Sequence, residues 1–351
     1  MKILITGGHV TPAAAAIEEL QKRGAVEIVF VGRGHTYEYR LITDKYHLPF
    51  FHLDAGRLSR YISIRSFMNI LKIPKGFFEA YRLVSTLKCD AVLSFGGYIA
   101  LPIAFAAFLR GIPVYTHEQT LIPGLANRII AQFAKKVFIS FPETKKVFDQ
   151  KKTILTGNPI RPAVFEVKKA LFAKTKPVLY IAGGSLGSHT VNSYIEQLLP
   201  RLLKKFIVVH QTGNEPPWRD FDRLSNLKYP DYYVFSHIFD EDIGFVYAMS
   251  DAYIGRSGVN TIFELIALKK PSILIPLALS ASGEQEAHAR FLKKHGVCEL
   301  FSQKEKVDVL YQLIEAVFSR KEIYIHNFRT LARYYIPNAA YQIAHEIFST
   351  L

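Results

Sequence analysis

The sequence predicts an α/β protein with two doubly wound domains, each built on a parallel sheet. Short apolar runs of strand length alternate with helix-length segments, and several of these runs end in glycine turns. The pattern starts again half-way along the 351 residues, at the run Pro177 to Ala182. The chain is also longer than the roughly 250 residues at which single cores stop growing. Alternating strands and helices form parallel sheets that are covered on both faces.

The first half contains five predicted strands of this kind. Residues 2–6 read as a buried strand, and a helix over 12–23 follows, with Pro12 in its first turn. The other strands are expected at 26–31, 91–94, 112–115 and 136–139. Because the strand at 112–115 is expected to end at Tyr115, the polar run that follows it is expected in a loop.

The second half repeats the arrangement, with strands expected at 177–182, 206–210, 232–235, 252–254 and 272–276. Pro159, Pro162 and a lysine-rich stretch interrupt the pattern between the halves. We therefore expect one domain over 1–163, joined by a C-terminal helix at 338–351, and a second over 164–337. In such sheets ligands bind at the carboxyl ends of the strands, so two facing domains predict a central cleft.

Composition limits the partners. Lys plus Arg number 44 and Asp plus Glu 30, a net charge of +14, which fits nucleic acid, an anionic membrane or a phosphorylated substrate. The basic residues are spread along the chain and no RNA-binding or zinc spacing appears, so no nucleic-acid partner is expected. Cys89 and Cys298 are far apart, which favours a reducing compartment over a disulfide framework.

Residues 57–82 are the segment whose composition is relevant to membrane binding. They combine six basic residues with a single acidic one, Glu79, among many apolar side chains. The basic residues are Arg57, Arg60, Arg65, Lys72, Lys75 and Arg82. Such a mixture suits an anionic membrane surface, and it equally suits an ordinary helix whose apolar face lies in the core. The apolar run Ile99 to Leu109 is shorter than the about 20 residues that a membrane span needs, and the strand-like start leaves no room for a signal peptide.

Two glycine turns stand at equivalent places in the two halves. Thr6-Gly7-Gly8-His9 links the first strand to the first helix, and Gly183-Gly184-Ser185-Leu186-Gly187 does so in the second half. Glycines let a ligand approach the backbone, and the following helix N-terminus favours a phosphate. The second turn is not a P-loop and lacks the dinucleotide fingerprint, which disfavours an NAD oxidoreductase. His9 suits proton transfer near neutral pH.

Polar clusters follow other predicted strands. These are Ser94-Phe95-Gly96-Gly97-Tyr98, His117-Glu118-Gln119-Thr120, Arg256-Ser257-Gly258 and Gly283-Glu284-Gln285-Glu286. Glu264 follows the third cluster inside a helix, where a carboxylate can accept two hydrogen bonds from a ribose diol. Each motif alone could be a solvated helix start or a plain turn. No carboxylate pair with metal-ligand spacing lies in these loops.

Taken in order, these segments resemble the MurG family of bacterial N-acetylglucosaminyltransferases along nearly the whole chain. The resemblance also includes Gly124-Leu125-Ala126-Asn127-Arg128 and Gly157-Asn158-Pro159-Ile160-Arg161. It implies the GT-B fold, no cofactor and no catalytic metal. It further implies a peripheral enzyme on the cytoplasmic face of the cell membrane. The expected reaction transfers N-acetylglucosamine, with inversion, from UDP-N-acetylglucosamine to a polyprenyl-diphosphate-linked acceptor, lipid I, giving lipid II.

The resemblance also implies roles for individual residues. His9 matches the proposed catalytic base, with Glu118 as the other candidate. The donor-binding residues would be Thr6, Gly7, Gly8, Thr120, Arg161, Gly184, Ser185, Arg256, Gly258, Glu264 and Gln285. Within that set Ser185 would hold the diphosphate and Glu264 the ribose, with Phe239 and Asp240 near the uracil. The acceptor-binding residues would be Gly97, Tyr98, His117 and Asn127.

The chain departs from the family pattern at three places. Leu4 and Ile5 stand where the family has a further glycine pair, and Thr120 and His288 each stand where it has Asn. The last two bear on the identity of the donor sugar. Alternatives are a related transferase with another lipid acceptor or UDP-sugar, a UDP-N-acetylglucosamine epimerase, and a binding module without activity.

Overall fold

The computed structural model describes residues 1–34, 36–55, 64–184, 186–277 and 283–351, without the side chains of residues 36–37 and 64–73. Ser185 and the basic residues Arg57 and Arg60 lie outside the described residues, as do the side chains of Arg65 and Lys72. The chain divides into two compact units. Unit 1 comprises Met1–Arg161 and Ile336–Leu351, and unit 2 comprises Pro162–Tyr335.

The described residues of unit 1 form seven strands and six α-helices. The strands are β1 (Lys2–Thr6), β2 (Glu27–Gly32), β3 (Phe50–His52), β4 (Ala91–Ser94), β5 (Val114–Glu118), β6 (Lys136–Ile139) and β7 (Thr153–Leu155). The helices are α1 (Val10–Gln21), α2 (Thr36–Arg40), α3 (Ile64–Leu87), α4 (Ala100–Leu109), α5 (Leu125–Phe133) and, at the end of the chain, α13 (Ala339–Thr350).

The strands of unit 1 form one parallel sheet in the order β3-β2-β1-β4-β5-β6-β7. Alternate residues of β1 are buried against opposite faces: Ile3 and Ile5 pack with α1 and α13, and Leu4 packs with the cluster that includes α4. Both faces of the sheet are therefore apolar and covered, which is why its strands read as continuous apolar runs.

Unit 2 repeats the plan, and its described residues form six strands. They are β8 (Val178–Ala182), β9 (Ile207–Gln211), β10 (Tyr232–Phe235), β11 (Ala252–Gly255), β12 (Ser272–Leu274) and β13 (Cys298–Leu300). They form a parallel sheet in the order β10-β9-β8-β11-β12-β13. Its helices are α6 (His189–Leu202), α7 (Asp220–Leu224), α8 (Ile243–Met249), α9 (Val259–Leu268), α10 (Glu284–Lys294), α11 (Val307–Ser319) and α12 (Lys321–Asn327).

The predicted fold class, two doubly wound α/β units, is confirmed by these sheets. The units change at Arg161 and Ile336, each two residues before the predicted boundary. Pro162 begins a short 3-10 turn, Pro162–Val164, and the backbone of that turn lies against Gly244 of α8, so it packs with unit 2.

One local prediction was wrong. The strand expected to end at Tyr115 continues through Glu118, because residues 115–118 pair with Lys136–Ile139 of β6. His117 and Glu118 therefore lie in the sheet, with their side chains buried, and not in an exposed loop.

In both sheets the strand order reverses between the first and fourth strand of the unit, at β1/β4 and at β8/β11. The loops at the carboxyl ends of these strands flank a crevice, the usual ligand site of such sheets. The predicted glycine turns after β1, β4 and β8 all lie there. Among the described residues, no helix has the length and apolar character that crossing a membrane requires.

The C-terminal helix supplies a measurable part of the core of unit 1. Ile347 of α13 is fully buried in the cluster formed with β1 and α1. We expect Ile347→Ala to lower the free energy of unfolding by about 2–5 kcal/mol, because it leaves a cavity. Denaturant titration measures this. Ile323→Ala, at a position 59% exposed, serves as the control and should change it by less than about 0.5 kcal/mol.

Candidate active site

The two glycine loops of unit 1 touch through their backbones. The amide of Gly8 donates to the carbonyl oxygen of Gly96 at 2.9 Å. Gly7 has φ +150°, and a Cβ there would lie 2.8 Å from the backbone of Phe95. Side chains would separate the loops, so glycine lets them meet where the strand order reverses, between β1 and β4. His9 follows directly as the N-cap residue of α1, and its side chain makes no capping bond.

His9 is half-buried beside a cation. Burial, and then the charge of Arg33, lower its pKa from the usual 6.5 to about 4. Arg33 follows β2, and its guanidinium lies over the ring of Tyr98, 5.4 Å from the ring centre. Two predicted site residues, His9 and Tyr98, thus share Arg33 as a neighbour, which the sequence did not single out. Because the pKa of His9 is about 4, its side chain is a neutral imidazole at pH 7.

Glu118 is the centre of a buried hydrogen-bond network. Its carboxylate accepts from the amide of Thr120 (2.8 Å), the Thr120 hydroxyl (2.6 Å), the amide of Gly124 (2.9 Å) and the side-chain amide of Asn127 (3.0 Å). Burial raises its pKa, and these bonds oppose that effect. The arrangement argues against Glu118 as a catalytic base, because its oxygens already hold the loop that follows β5.

Three further residues that are predicted to contact a ligand belong to the same network, namely His117, Thr120 and Asn127. Asn127 accepts from the hydroxyl of Thr116 at 2.9 Å and donates to the carbonyl oxygen of His117 at 3.1 Å. His117 is fully buried, donates from Nε2 to the Gly157 carbonyl at 3.1 Å, and has a pKa lowered to about 4, chiefly by burial. These side chains, with that of Thr120, therefore hold the loops that follow β5 and β7, and their contact with a ligand stays a prediction.

Thr6 is likewise internal. Its side chain is fully buried, and its hydroxyl donates to the Val31 carbonyl at 2.9 Å. The side chain therefore ties β1 to β2, and contact of Thr6 with the donor stays a prediction. Arg161, the last residue of the first segment of unit 1, is half-buried.

In unit 2 the glycine loop after β8 packs against the loop after β9. Gly187 has φ +83°, and a Cβ there would lie 1.9 Å from the Thr212 carbonyl oxygen. Gln211, buried at the end of β9, donates to the Gly184 carbonyl at 3.0 Å and accepts from the amide of Ile238 at 2.9 Å. One side chain therefore links the glycine loop to the loop that follows β10. Gln211 is not among the site residues predicted from the sequence.

The start of α6 is braced by Arg256. Ser188 is the N-cap residue of this helix, and Arg256 donates to its hydroxyl at 2.7 Å. Arg256 also donates to the carbonyl oxygens of Ile275 (2.9 Å) and Pro276 (3.2 Å). Burial lowers its pKa. Arg256 thus links the start of α6 to the loop that follows β12, and its direct contact with the donor stays a prediction.

Glu264 lies in α9 beside this crevice and is 6% exposed. The hydroxyl of Tyr247 donates to its Oε2 at 2.7 Å. Gly258, the N-cap residue of α9, has nothing within 4 Å of the position of a Cβ, so its backbone is accessible. Gln285 accepts from the amide of Leu277 at 3.0 Å.

His288, which stands where the family has Asn, also contacts another part of the protein. The ring is buried, and its Nδ1 lies 3.3 Å from the Ser257 carbonyl. The described residues contain no cluster of three or more His, Cys, Asp or Glu side chains that could hold a metal ion.

The geometry agrees with comparisons to known proteins. Residues 6–139 match the glycosyltransferase family 28 N-terminal domain, and residues 178–338 match its C-terminal domain. A relative from Clostridium novyi (strain NT) is 37% identical over 93% of both chains. Its name is UDP-N-acetylglucosamine–N-acetylmuramyl-(pentapeptide) pyrophosphoryl-undecaprenol N-acetylglucosamine transferase.

The chain belongs to the MurG family. Among solved structures, Acinetobacter baumannii MurG covers 99% of both chains with a TM-score of 0.73 and 26% identity. A UDP-GlcNAc 2-epimerase from Neisseria meningitidis shares the fold alone, with a TM-score of 0.64 and 18% identity over 99% of this chain and all of the other. The MurG-family assignment and the GT-B fold implied by the sequence motifs are therefore confirmed.

The charge of Arg33 gives a direct test of the site's electrostatics. We expect the pKa of His9, followed by NMR of the imidazole, to be about 4. Arg33→Gln removes a cation that disfavours the imidazolium, so the pKa should rise toward 6.5 while remaining below it, because burial persists. Arg33→Lys keeps the charge and should leave the pKa low. A wild-type pKa near 6.5 would contradict this account.

Proposed function

We propose that this protein transfers N-acetylglucosamine from UDP-N-acetylglucosamine to lipid I and forms lipid II, with unit 2 holding the donor and unit 1 the acceptor. The observation that carries the proposal is the similarity, over 93% of the chain, to a relative named for this reaction. The crevices at β1/β4 and β8/β11 supply one glycine loop and helix N-terminus for a diphosphate in each unit.

The diphosphate of the donor fits the loop after β8. Gly184 has φ +96° and open space beside its Cα, so an anion can approach its backbone closely. The N-terminus of α6 follows, where the helix dipole favours negative charge. These groups would stabilise UDP as the bond between its oxygen and the anomeric carbon breaks, a task that metals perform in other transferases.

His9 supplies the base in this proposal. As the acceptor hydroxyl oxygen attacks the anomeric carbon, the proton of that hydroxyl passes to the neutral imidazole, and attack opposite to the leaving UDP inverts the configuration. Negative charge from an acceptor diphosphate beside Arg33 would oppose the effect of this cation. The pKa of His9 would then rise toward the range in which a general base works well.

We expect His9→Ala to lower turnover by roughly 10²–10⁴-fold, with little change in UDP affinity. The assay follows labelled N-acetylglucosamine onto a polyprenyl-diphosphate acceptor, with UDP affinity measured by calorimetry. A folded His9→Ala protein with wild-type turnover would remove His9 from this role. Conversion of the donor to its 2-epimer without acceptor would instead support the epimerase, and transfer only to another lipid would support the related transferase.

We also propose that unit 1 docks on an anionic membrane, on the cytoplasmic face, through an aromatic patch on α3 and α4. The patch consists of the exposed side chains of Phe78, Tyr81, Phe105, Phe108 and Leu109. Phe78 is 60% exposed, and Arg82 lies over its ring at 4.9 Å. Arg110 lies 5.8 Å from the ring centre of Tyr81. Apolar side chains bordered by arginines match the interface of an anionic bilayer.

Replacing Phe78 and Phe108 by Glu should lower partitioning to phosphatidylglycerol vesicles at least roughly tenfold, since each buried phenylalanine contributes about 1.5–3 kcal/mol. Flotation of the protein with vesicles measures this, and UDP affinity should not change. Ile323→Glu places the same charge on an exposed apolar position of unit 2 and is the matched control. Unchanged flotation of the double variant would return these side chains to an ordinary surface role.

A further inference from the structure

Glu264 is a buried carboxylate that accepts a hydrogen bond from a buried tyrosine. Tyr247 of α8 is 2% exposed, and its hydroxyl lies 2.7 Å from Oε2 of Glu264 in α9. A short hydrogen bond to a carboxylate is about twice as strong as one between neutral groups. It fixes one oxygen of Glu264 and thereby the plane of the whole carboxylate.

The tyrosine itself is held rigidly. Its ring meets the ring of Tyr180 edge to face, with 5.2 Å between ring centres and 89° between planes. Tyr180 in turn packs against Tyr253 on the neighbouring strand β11, at 5.5 Å. Burial, with the nearby carboxylate, raises the pKa of Tyr247 well above 10, so its hydroxyl stays protonated and remains a donor.

We propose that Tyr247 is a positioning residue for ribose recognition: by binding one oxygen of Glu264 it aims the carboxylate at the 2′- and 3′-hydroxyls of the donor nucleotide. The inference rests on the proposed function, because it assumes a UDP-sugar at this crevice. A ribose diol needs an acceptor held in one orientation, and a carboxylate at the end of a rotatable side chain has that orientation only when another group fixes it.

The chain offers a matched control in Tyr253. It is as buried as Tyr247 and touches the same ring of Tyr180, yet its hydroxyl donates to backbone, at 3.1 Å to the Ala182 carbonyl. Tyr247→Phe and Tyr253→Phe each remove one buried hydroxyl from the same cluster. Only the first removes a hydrogen bond to Glu264.

The experiment measures the affinities for UDP and for 2′,3′-dideoxy-UDP by calorimetry, together with the melting temperature. Wild-type protein is expected to prefer UDP. Tyr247→Phe should weaken UDP binding about tenfold, the equivalent of about 1.4 kcal/mol, and leave 2′,3′-dideoxy-UDP binding nearly unchanged, so the preference falls. Tyr253→Phe should lower the melting temperature comparably and keep the preference. Glu264→Gln should abolish the preference, and adding Tyr247→Phe to it should produce no further loss.

Each other result overturns the inference. A wild-type preference that persists in Tyr247→Phe, or that falls equally in Tyr253→Phe, shows that Tyr247 has only a packing role. Wild-type protein that binds UDP without preferring ribose refutes the inference and leaves the transferase proposal standing, whereas failure to bind UDP refutes both. If Tyr247→Phe does not fold, 4-fluorophenylalanine at position 247 keeps the side-chain volume, removes the donor and answers the same question.

Discussion

Contact between backbones at the carboxyl edge of each sheet is the constraint on which the rest of the structure depends. A Cβ at Gly187 would lie 1.9 Å from the Thr212 carbonyl oxygen, and one at Gly7 would lie 2.8 Å from Phe95. The loops can therefore meet only where side chains are absent. This close packing brings the N-termini of α1 and α6 to the points where strand order reverses, and it leaves backbone groups accessible to a ligand.

Around these loops, polar side chains divide into those that bind other parts of the protein and those that remain available to a substrate. Glu118 accepts four hydrogen bonds, and Arg256 donates to Ser188 and to two carbonyl oxygens. Buried polar groups need such partners, since an unsatisfied one costs about 1–3 kcal/mol. Glu118 thus holds the loop that follows β5, and Arg256 holds the start of α6.

The two units follow the same plan with different electrostatics. In unit 1 the crevice holds an imidazole beside the Arg33 cation, which suits proton transfer near an anionic acceptor. In unit 2 the crevice combines a glycine loop, a helix N-terminus and the carboxylate of Glu264, which suits a nucleoside diphosphate. Each unit thereby presents different polar groups where its strand order reverses, because the loops differ while the sheets remain alike.

The sequence by itself determined the two parallel sheets, the glycine turns at their switch points and the family, because periodicity and turn chemistry are encoded by residues close together in the chain. It placed His9 and Gly184 in the loops that follow β1 and β8, and Glu264 inside the helix that follows β11, and the structure has them there. It did not show that β5 runs on to Glu118, nor that Asn127 and Thr6 bind internally. Only the tertiary structure placed Arg33 beside His9 and Tyr247 against Glu264. Those partners come from separate elements, and the packing of helices and strands decides which polar groups meet.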